Sequence, residues 1–400
     1  MNHDIRQLQD TGETGKIQDT GKVEVTFQRM PIRTWSRSHV NDAKLVLQGP
    51  DKISFPDGTD RKADFPAKGH PASEQTIPEQ TKQVQNFDGL VLGEDAAGLF
   101  VSAQMGAFLD ERANRRYYLR IPDGQAEKEP ILLSLHPDTE DPILVDDVII
   151  EAKEGSRATV ILNYTSEAGA PVRHYGRTRV IAHRNAEVKL IKIQMLNRNA
   201  DHVDAVGGVV HEGAQLDVIL AELGAARQTS SCNIILEGEG GGAKLDAVYL
   251  GDGERSLDMS YRVEHRGRKT VSHICAKGVL MERSKKVFRD TLDFISGSSG
   301  SKGREEESVL MLSPEVRNIS VPLMPCGEDD VEGEHAVSSG RPDERILFYL
   351  ASRGIDEVEA KKLLTEAAVS SIVEKIPDAS IRDAILAVMR KSIEKGEETA

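Results

Sequence analysis

Between about residues 130 and 325, apolar residues come in short runs. They either alternate with polar residues or form continuous β-branched stretches, and each run is closed by Gly or Asn. A period of two over five to nine residues puts one face of an extended chain against a core, so these runs are predicted strands. They fall at 145–151, 158–164, 187–195, 215–220, 244–250 and 269–276. The turns between them are Glu154-Gly155, Arg184-Asn185, Glu212-Gly213, Glu239-Gly240 and Arg266-Gly267.

The turn residues Gly155, Asn185, Gly213, Gly240 and Gly267 recur every 27 to 30 residues, each directly after a charged residue. Gly and Asn tolerate positive φ and suit the corner of a coil. A fixed period in this range is the mark of a solenoid, in which each coil buries its inward face against its neighbours. A β-sandwich with regularly spaced hairpins is the alternative. Spacing leaves handedness open.

The flanks read differently. Residues 1–85 are irregular, with turn-forming Gly49-Pro50, Pro56-Asp57-Gly58 and Pro71, and with the single tryptophan, Trp35, as an anchor onto the next domain. A short helix is expected at 105–116. The Gly/Ser-rich stretch 296–307 reads as a flexible excursion, with strand resuming at 308–312 and ending near 324. From Asp343 the spacing turns helical through Ile346, Leu347, Tyr349 and Leu350, with Gly354 as C-cap. Asp356 with Glu359 forms a capping box for a second helix presenting Val358, Leu363, Leu364, Ala367 and Ala368. Pro377 stops the following segment, and Ser380 opens a third helix with Ile381, Ala384, Ile385, Val388 and Met389. Such helices pack on their own core or dock on a partner. The expected division is 1–95 irregular and partly helical, 96–330 the β core, and 331–400 a small helical region.

Composition narrows the class. Aromatics are 4% of 400 residues and there are 34 glycines, which suits a narrow repetitive β interior. The net charge of -14 argues against nucleic acid, which needs a basic surface. The local basic patch at Arg112, Arg115, Arg116 and Arg120 reads as a solvated face. Cys232, Cys275 and Cys326 make neither a disulfide framework nor a CxxC zinc site. With no apolar run long enough for a membrane span and no signal-peptide h-region in 1–20, a cytoplasmic protein is expected.

The chemistry concentrates in Cys326-Gly327-Glu328-Asp329-Asp330-Val331-Glu332-Gly333-Glu334-His335, which holds a thiol, an imidazole and five carboxylates. Thiolate, imidazole and carboxylate together suit iron, so the segment is either a metal or cluster site or a solvated acidic turn. An acidic bend could fold back and bring Cys326 and His335 together. Cys275, between Ile274 and Ala276, reads as a small buried hydrophobe, and Cys232 similarly. The chain has no GxxxxGK[ST], GxSxG or HExxH, so neither nucleotide binding nor enzymatic turnover is expected. The glycine run 238–242 lacks a following helix and reads as a coil corner.

Asp329-Asp330-Val331, His335, Gly340 and Phe348-Tyr349-Leu350-x-Ser352-Arg353-Gly354-Ile355 resemble the C-terminal signature of the SufB/SufD family of iron–sulfur cluster assembly scaffold proteins. Upstream, Lys277-Gly278-Val279-Leu280 and Lys286-Val287-Phe288 resemble the end of that family's β-helix, and the resemblance covers roughly 145–375. It implies a mainly β fold, a right-handed parallel β-helix flanked by helical segments. It also implies pairing through the last coils with a second SufB/SufD-family chain, as homodimer or heterodimer. The C-terminal helices would bind SufC, an ABC-type ATPase, and a nascent iron–sulfur cluster would sit at the dimer interface. His335 matches the family's functional histidine, with Glu334 beside it. Phe348, Tyr349, Arg353, Gly354 and Ile355 match the SufC-binding region. The chain departs from the pattern: SufB-type cysteines expected near Gly241 and in 303–310 are absent, and Gly333 stands where SufD-type chains often carry one.

The leading expectation is thus a non-catalytic scaffold subunit that holds a transient cluster through Cys326 and His335, with Glu332 or Glu334. A structural adaptor that positions a cluster-bearing paralogue and the ATPase without binding metal is the alternative. A carbohydrate-active β-helix enzyme would want paired carboxylates on a concave strand face and usually a signal peptide.

Overall fold

The computed structural model describes residues 22–27, 40–50, 81–83 and 103–398. Trp35 and the turn dipeptides between 56 and 71 lie outside the described residues.

The core is a parallel β-solenoid of eight two-stranded coils. Its even strands form one sheet: β4 (Arg115–Ile121), β6 (Ile143–Ala152), β8 (Arg173–Ala182), β10 (Asp201–Val210), β12 (Arg227–Leu236), β14 (Ser256–His265), β16 (Lys285–Phe294) and β18 (Arg317–Leu323). The odd strands form the facing sheet: β5 (Ile131–Leu135), β7 (Arg157–Thr165), β9 (Glu187–Met195), β11 (Gln215–Glu222), β13 (Gly242–Gly251), β15 (Val271–Leu280), β17 (Ser301–Met311) and β19 (Val331–Gly340). Parallel pairing keeps each inward position stacked on the one a coil below. Columns such as Leu162, Lys192, Leu220 and Ala247 therefore run along the axis.

One corner of seven of the eight coils is set by a residue of positive φ. The series is Gly124, Gly155, Asn185, Gly213, Gly240, Lys269 and Gly300, with φ between 55° and 77°. Each donates its backbone N–H to the carbonyl just before the equivalent residue of the next coil, as in Asn185 to Glu212 (2.9 Å) and Gly240 to Arg268 (2.9 Å). The predicted corner at Gly267 is displaced to Lys269. Gly267 is required for a different reason, since a Cβ there would lie 2.3 Å from the Gly238 carbonyl oxygen.

The expected excursion at 296–307 is mostly strand. Ser301, Gly303, Glu305, Glu307 and Val309 of β17 all face inward and are buried, so a stretch that reads as polar linker is a coil wall. The solenoid also runs past Met324 through its last strand, β19, so the first of the C-terminal helices begins at Glu344 rather than near 331.

Two flanking layers cover the outer faces. The N-terminal part contributes an antiparallel hairpin, β1 (Lys22–Phe27) with β2 (Ala43–Gln48), and a short strand β3 (Thr81–Gln83) on β4. Helix α1 (Ala103–Arg112) is shifted towards the N-terminus of the expected 105–116, because Arg115 already belongs to β4. Val25, Leu47, Met105 and Phe108 pack on Val145, Tyr175 and Val203 of the even sheet. Arg116 of the basic patch is buried rather than solvated, and donates to the Asp110 carbonyl oxygen at the end of α1 (2.5 Å).

At the other end, Asp343 and Asp356 cap α2 (Glu344–Ser352) and α3 (Glu357–Val373), and Gly354 has φ 85°. Asp378, not Ser380, accepts from the first free N–H groups of α4 (Ala379–Glu398). The buried stripe of α3 is Ala360, Thr365, Val369, Ile372 and Val373, so Leu363 and Ala367 face solvent. Ile381, Ile385, Met389 and Ile393 follow at four-residue spacing on α4. Both helices lie on Ile161, Ile191, Ile219, Val248 and Val279 of the odd sheet as a second core. Cys275 belongs to this core and Cys232 to the lumen, both as buried thiols.

Candidate functional site

The solenoid ends in an open coil. β18 and β19 are terminal strands of their sheets, and nine of the ten residues of β19 are exposed. The Cys326–His335 segment forms this end, but it is not a bend closing on itself. Glu328, Asp329 and Asp330 make the turn, with the Glu328 carboxylate accepting from the Gly297 and Asp329 amides (both 3.0 Å). From Val331 the chain is strand.

The strand alternation decides which candidates can act together. His335 pairs with Glu305, an inward position, and so stands on the lumen side. Gly333 shares that side, since a Cβ there would meet the Met324 sulfur. Glu332 and Glu334 point to the other face. Glu332 accepts from Lys302 (2.8 Å), and Glu334 lies 3.6 Å from Arg304. Cys326 forms a parallel bridge with Phe294, and its exposed thiol lies 3.6 Å from the Met324 carbonyl oxygen. Pro322, paired with Asp290, marks the level of His335, whereas Cys326 is four residues further on. At 3.3 Å per residue, Cys326 and His335 are about 13 Å apart along the strand direction. Among the described residues no three His, Cys, Asp or Glu side chains gather as a metal cluster.

Directly beneath His335 the lumen is acidic. Glu305 (0% exposed) and Asp290 (1%) face each other across the sheets. Burial, and then each group's carboxylate neighbour, raises both well above the ordinary carboxylate range. One step along, Lys286 donates to Glu307, whose other oxygen accepts from Ser320 and which also takes the Tyr249 hydroxyl (2.7 Å). Lys286 sits over the Tyr249 and Phe288 rings, 5.7 Å and 5.5 Å from their centres.

A second polar layer lies deeper, around His174 and His202. Their Nδ1 atoms are 2.7 Å apart, within hydrogen-bond distance, and His174 Nε2 is hydrogen-bonded to the Asp146 carboxylate. Lys192 bonds Asp204 and Thr178 (2.8 and 2.9 Å). Burial, followed by the charge of Asp204, pushes Glu222 up to about 8. Burial holds His202 well below the usual imidazole range.

None of these lumen groups was singled out by motif. They carry one usable signal, a charge on the inward phase of a strand, as at Lys192, Lys286, Asp290, Glu305 and Glu307. The partner-binding candidates are placed on or just after α2, which has no buried residue. Phe348 and Tyr349 are 78% and 55% exposed, and Ile346 joins them. Arg353 stacks on Tyr349, 5.3 Å from the ring centre, and Gly354 and Ile355 close the helix through a bond from the Ile355 amide to the Leu350 carbonyl (3.1 Å).

Comparison with known proteins was consistent over this region. Residues 136–368, more than half of the chain, match the family model described as "SUF system FeS cluster assembly, SufBD core domain". The chain is 25% identical to the iron–sulfur cluster assembly protein SufD of Bacillus subtilis over 278 residues, 69% of this chain and 64% of that one. It is 24% identical over 266 residues to a SufBD-family iron–sulfur cluster assembly protein of Staphylococcus haemolyticus, 65% of this chain and 56% of that one. A Staphylococcus aureus member is 26% identical over 235 residues, 57% and 50% of the respective chains. The chain thus spans between half and two-thirds of these relatives.

Proposed function

Because the chain belongs to the SufBD family of the SUF iron–sulfur cluster assembly system, we propose that it is a non-catalytic scaffold subunit of such a complex. The nascent cluster is cargo, held where the open coil meets a second SufB/SufD-family chain. Residues 331–400 engage a SufC-type ABC ATPase through Phe348, Tyr349, Arg353, Gly354 and Ile355, and this chain itself binds no nucleotide. The compartment is the cytoplasm; no described helix is long and apolar enough to cross a membrane.

The observation that carries this reading is the open coil itself. β19 is a long strand with one free edge, and such an edge is a template for pairing with another chain. It presents His335 on the lumen side, with the Cys326 thiol on the same coil. Thiolate and imidazole are iron-binding groups. Their separation favours ligands completed by the second chain over a site closed within one. Glu332 and Glu334, on the opposite face, contribute to pairing rather than to the same ligand set.

Anaerobic reconstitution with iron and sulfide, alone and with the ATPase and a second family chain, tests the reading. Cluster retained by the complex and lost from Cys326→Ser/His335→Ala supports it. The same uptake by the double variant overturns the site.

The adaptor alternative rests on one observation, that no three metal-binding side chains converge among the described residues. Under it the complex keeps its cluster in the double variant while this chain alone binds no iron.

A further inference from the structure

We propose that Asp290 and Glu305 form a binding site for a hard divalent cation, of the manganese(II), magnesium or iron(II) class, inside the penultimate coil. The site goes beyond the scaffold reading, since it involves neither a cluster nor a partner chain.

Three observations carry it. First, both carboxylates are fully enclosed, yet their four oxygens have no hydrogen-bond partner apart from Asp290's contact with its own amide. Buried polar groups are almost always satisfied, and a buried pair left open calls for a missing partner. Second, the local charge does not balance. Ionised together, Asp290, Glu305 and Glu307 would set three negative charges against the one positive charge of Lys286, and without an ion burial relieves this by holding protons on Asp290 and Glu305. A divalent ion would displace those protons and balance the ionised set, in a wall that holds the Tyr261 phenol beneath Asp290 and the apolar Ile274 beneath Glu305. Third, only one coil lies above the pair, and its strand β19 is exposed along its length, so an ion enters from the open end.

The donor set fixes the class. Carboxylate oxygens favour magnesium, manganese and iron(II) over thiolate-seeking ions. Two protein ligands with the remainder water is an ordinary arrangement for the harder ions. Lys286 is committed to Glu307 and does not compete for Glu305.

The full-length chain, stripped with chelator, is titrated with manganese(II). Free ion is followed by electron paramagnetic resonance and stability by thermal denaturation. The expected result is one saturable ion per chain and a raised melting temperature. Asp290→Asn/Glu305→Gln weakens binding at least about tenfold, while Glu254→Gln, an exposed carboxylate paired with Arg283, leaves it unchanged. Both replacements are isosteric and remove repulsion, so the double variant in chelator melts no lower than the parent. If it does not fold, the single variants Asp290→Asn and Glu305→Gln are measured instead. The manganese anomalous signal in a crystal then locates the ion between the two carboxylates. No stoichiometric binding, equal binding by the isosteric variants, or an ion located elsewhere overturns the proposal. Cluster retention by the assembled complex is read separately, so failure of this site leaves the scaffold reading standing.

Discussion

His335 stands one coil above Glu305, its register partner across β17 and β19, so an exposed imidazole lies over a carboxylate with no exposed surface. An exposed side chain on a terminal strand adds little to folding. His335→Ala is expected to change unfolding free energy by no more than about 0.5 kcal/mol. Cluster retained after anaerobic reconstitution with partners is expected to fall on the order of tenfold, the scale at which metal sites respond to altered ligand shells. Urea unfolding and iron analysis of the same preparations separate the two effects.

Lys286 and Glu307 make the opposite case, a buried pair joining the two sheets with no exposed surface on either side chain. Removing one partner strands a charge in the lumen. Lys286→Met is expected to cost about 3–5 kcal/mol, and Lys286→Met with Glu307→Gln distinctly less than the single change. A double-mutant cycle by chemical denaturation measures the difference.

Helix α2 offers a surface without a structural role in the isolated chain. Phe348→Asp with Tyr349→Ser is expected to leave the melting temperature within about 2 °C, because neither side chain is buried. Under the proposed function the same variant loses co-purification with the ATPase. Calorimetric titration of parent and variant with the purified ATPase decides it.

Stability should fall as pH rises towards 8. Glu222 is raised from 4.5 to about 8 by burial, so the folded state holds a proton that the unfolded state has released. Its contribution is complete below pH 4.5 and is lost as pH rises through 8, at up to about 1.4 kcal/mol per unit. Asp290 and Glu305, also raised, act in the same direction. His202 and His265 are lowered and act in the opposite direction, but only below about 6.5, where the unfolded imidazole takes up its proton. Denaturation at pH 6.5, 7.3 and 8 should therefore show a decline that Glu222→Gln makes shallower.

The corner ladder gives a paired test. Gly240 has φ 71° with open space where a Cβ would stand, so Gly240→Ala is expected to cost about 1–2 kcal/mol for the left-handed conformation alone. Gly213 has φ 64° and a Cβ there would lie 2.4 Å from Asn185 Oδ1. Gly213→Ala should cost more, and equal values in thermal denaturation would refute a steric contribution from the Asn185 rung.

Much of this architecture is written in the chain. The corners Gly155, Asn185, Gly213 and Gly240 were legible because positive φ restricts residue choice, and strand 187–195 because its alternation is clean. Lys269 was not, since a lysine at a left-handed corner has no sequence signature and is held there by the ladder bond to Ser299 (3.0 Å). β17 was misread because Ser301, Gly303, Glu305 and Glu307 are polar or small at inward positions, where the alternation leads one to expect aliphatic side chains. For the site, His335 could be picked from its neighbours, but its phase could not. Only the register puts it over Glu305 and sends Glu332 and Glu334 to the other face.

Helix α2 is held at both ends. Gly340 closes β19 four residues before it begins, and Asp356 opens α3 four residues after it ends. A load taken up by α2 is therefore shared between two anchorages of unequal strength. α3 is set in a second core and tied down by Lys375, which grips both oxygens of Asp246 (2.7 and 2.8 Å). β19 is bonded along one edge only. Under the proposed function, a load on α2 is expected to displace β19 before α3, and β19 carries His335.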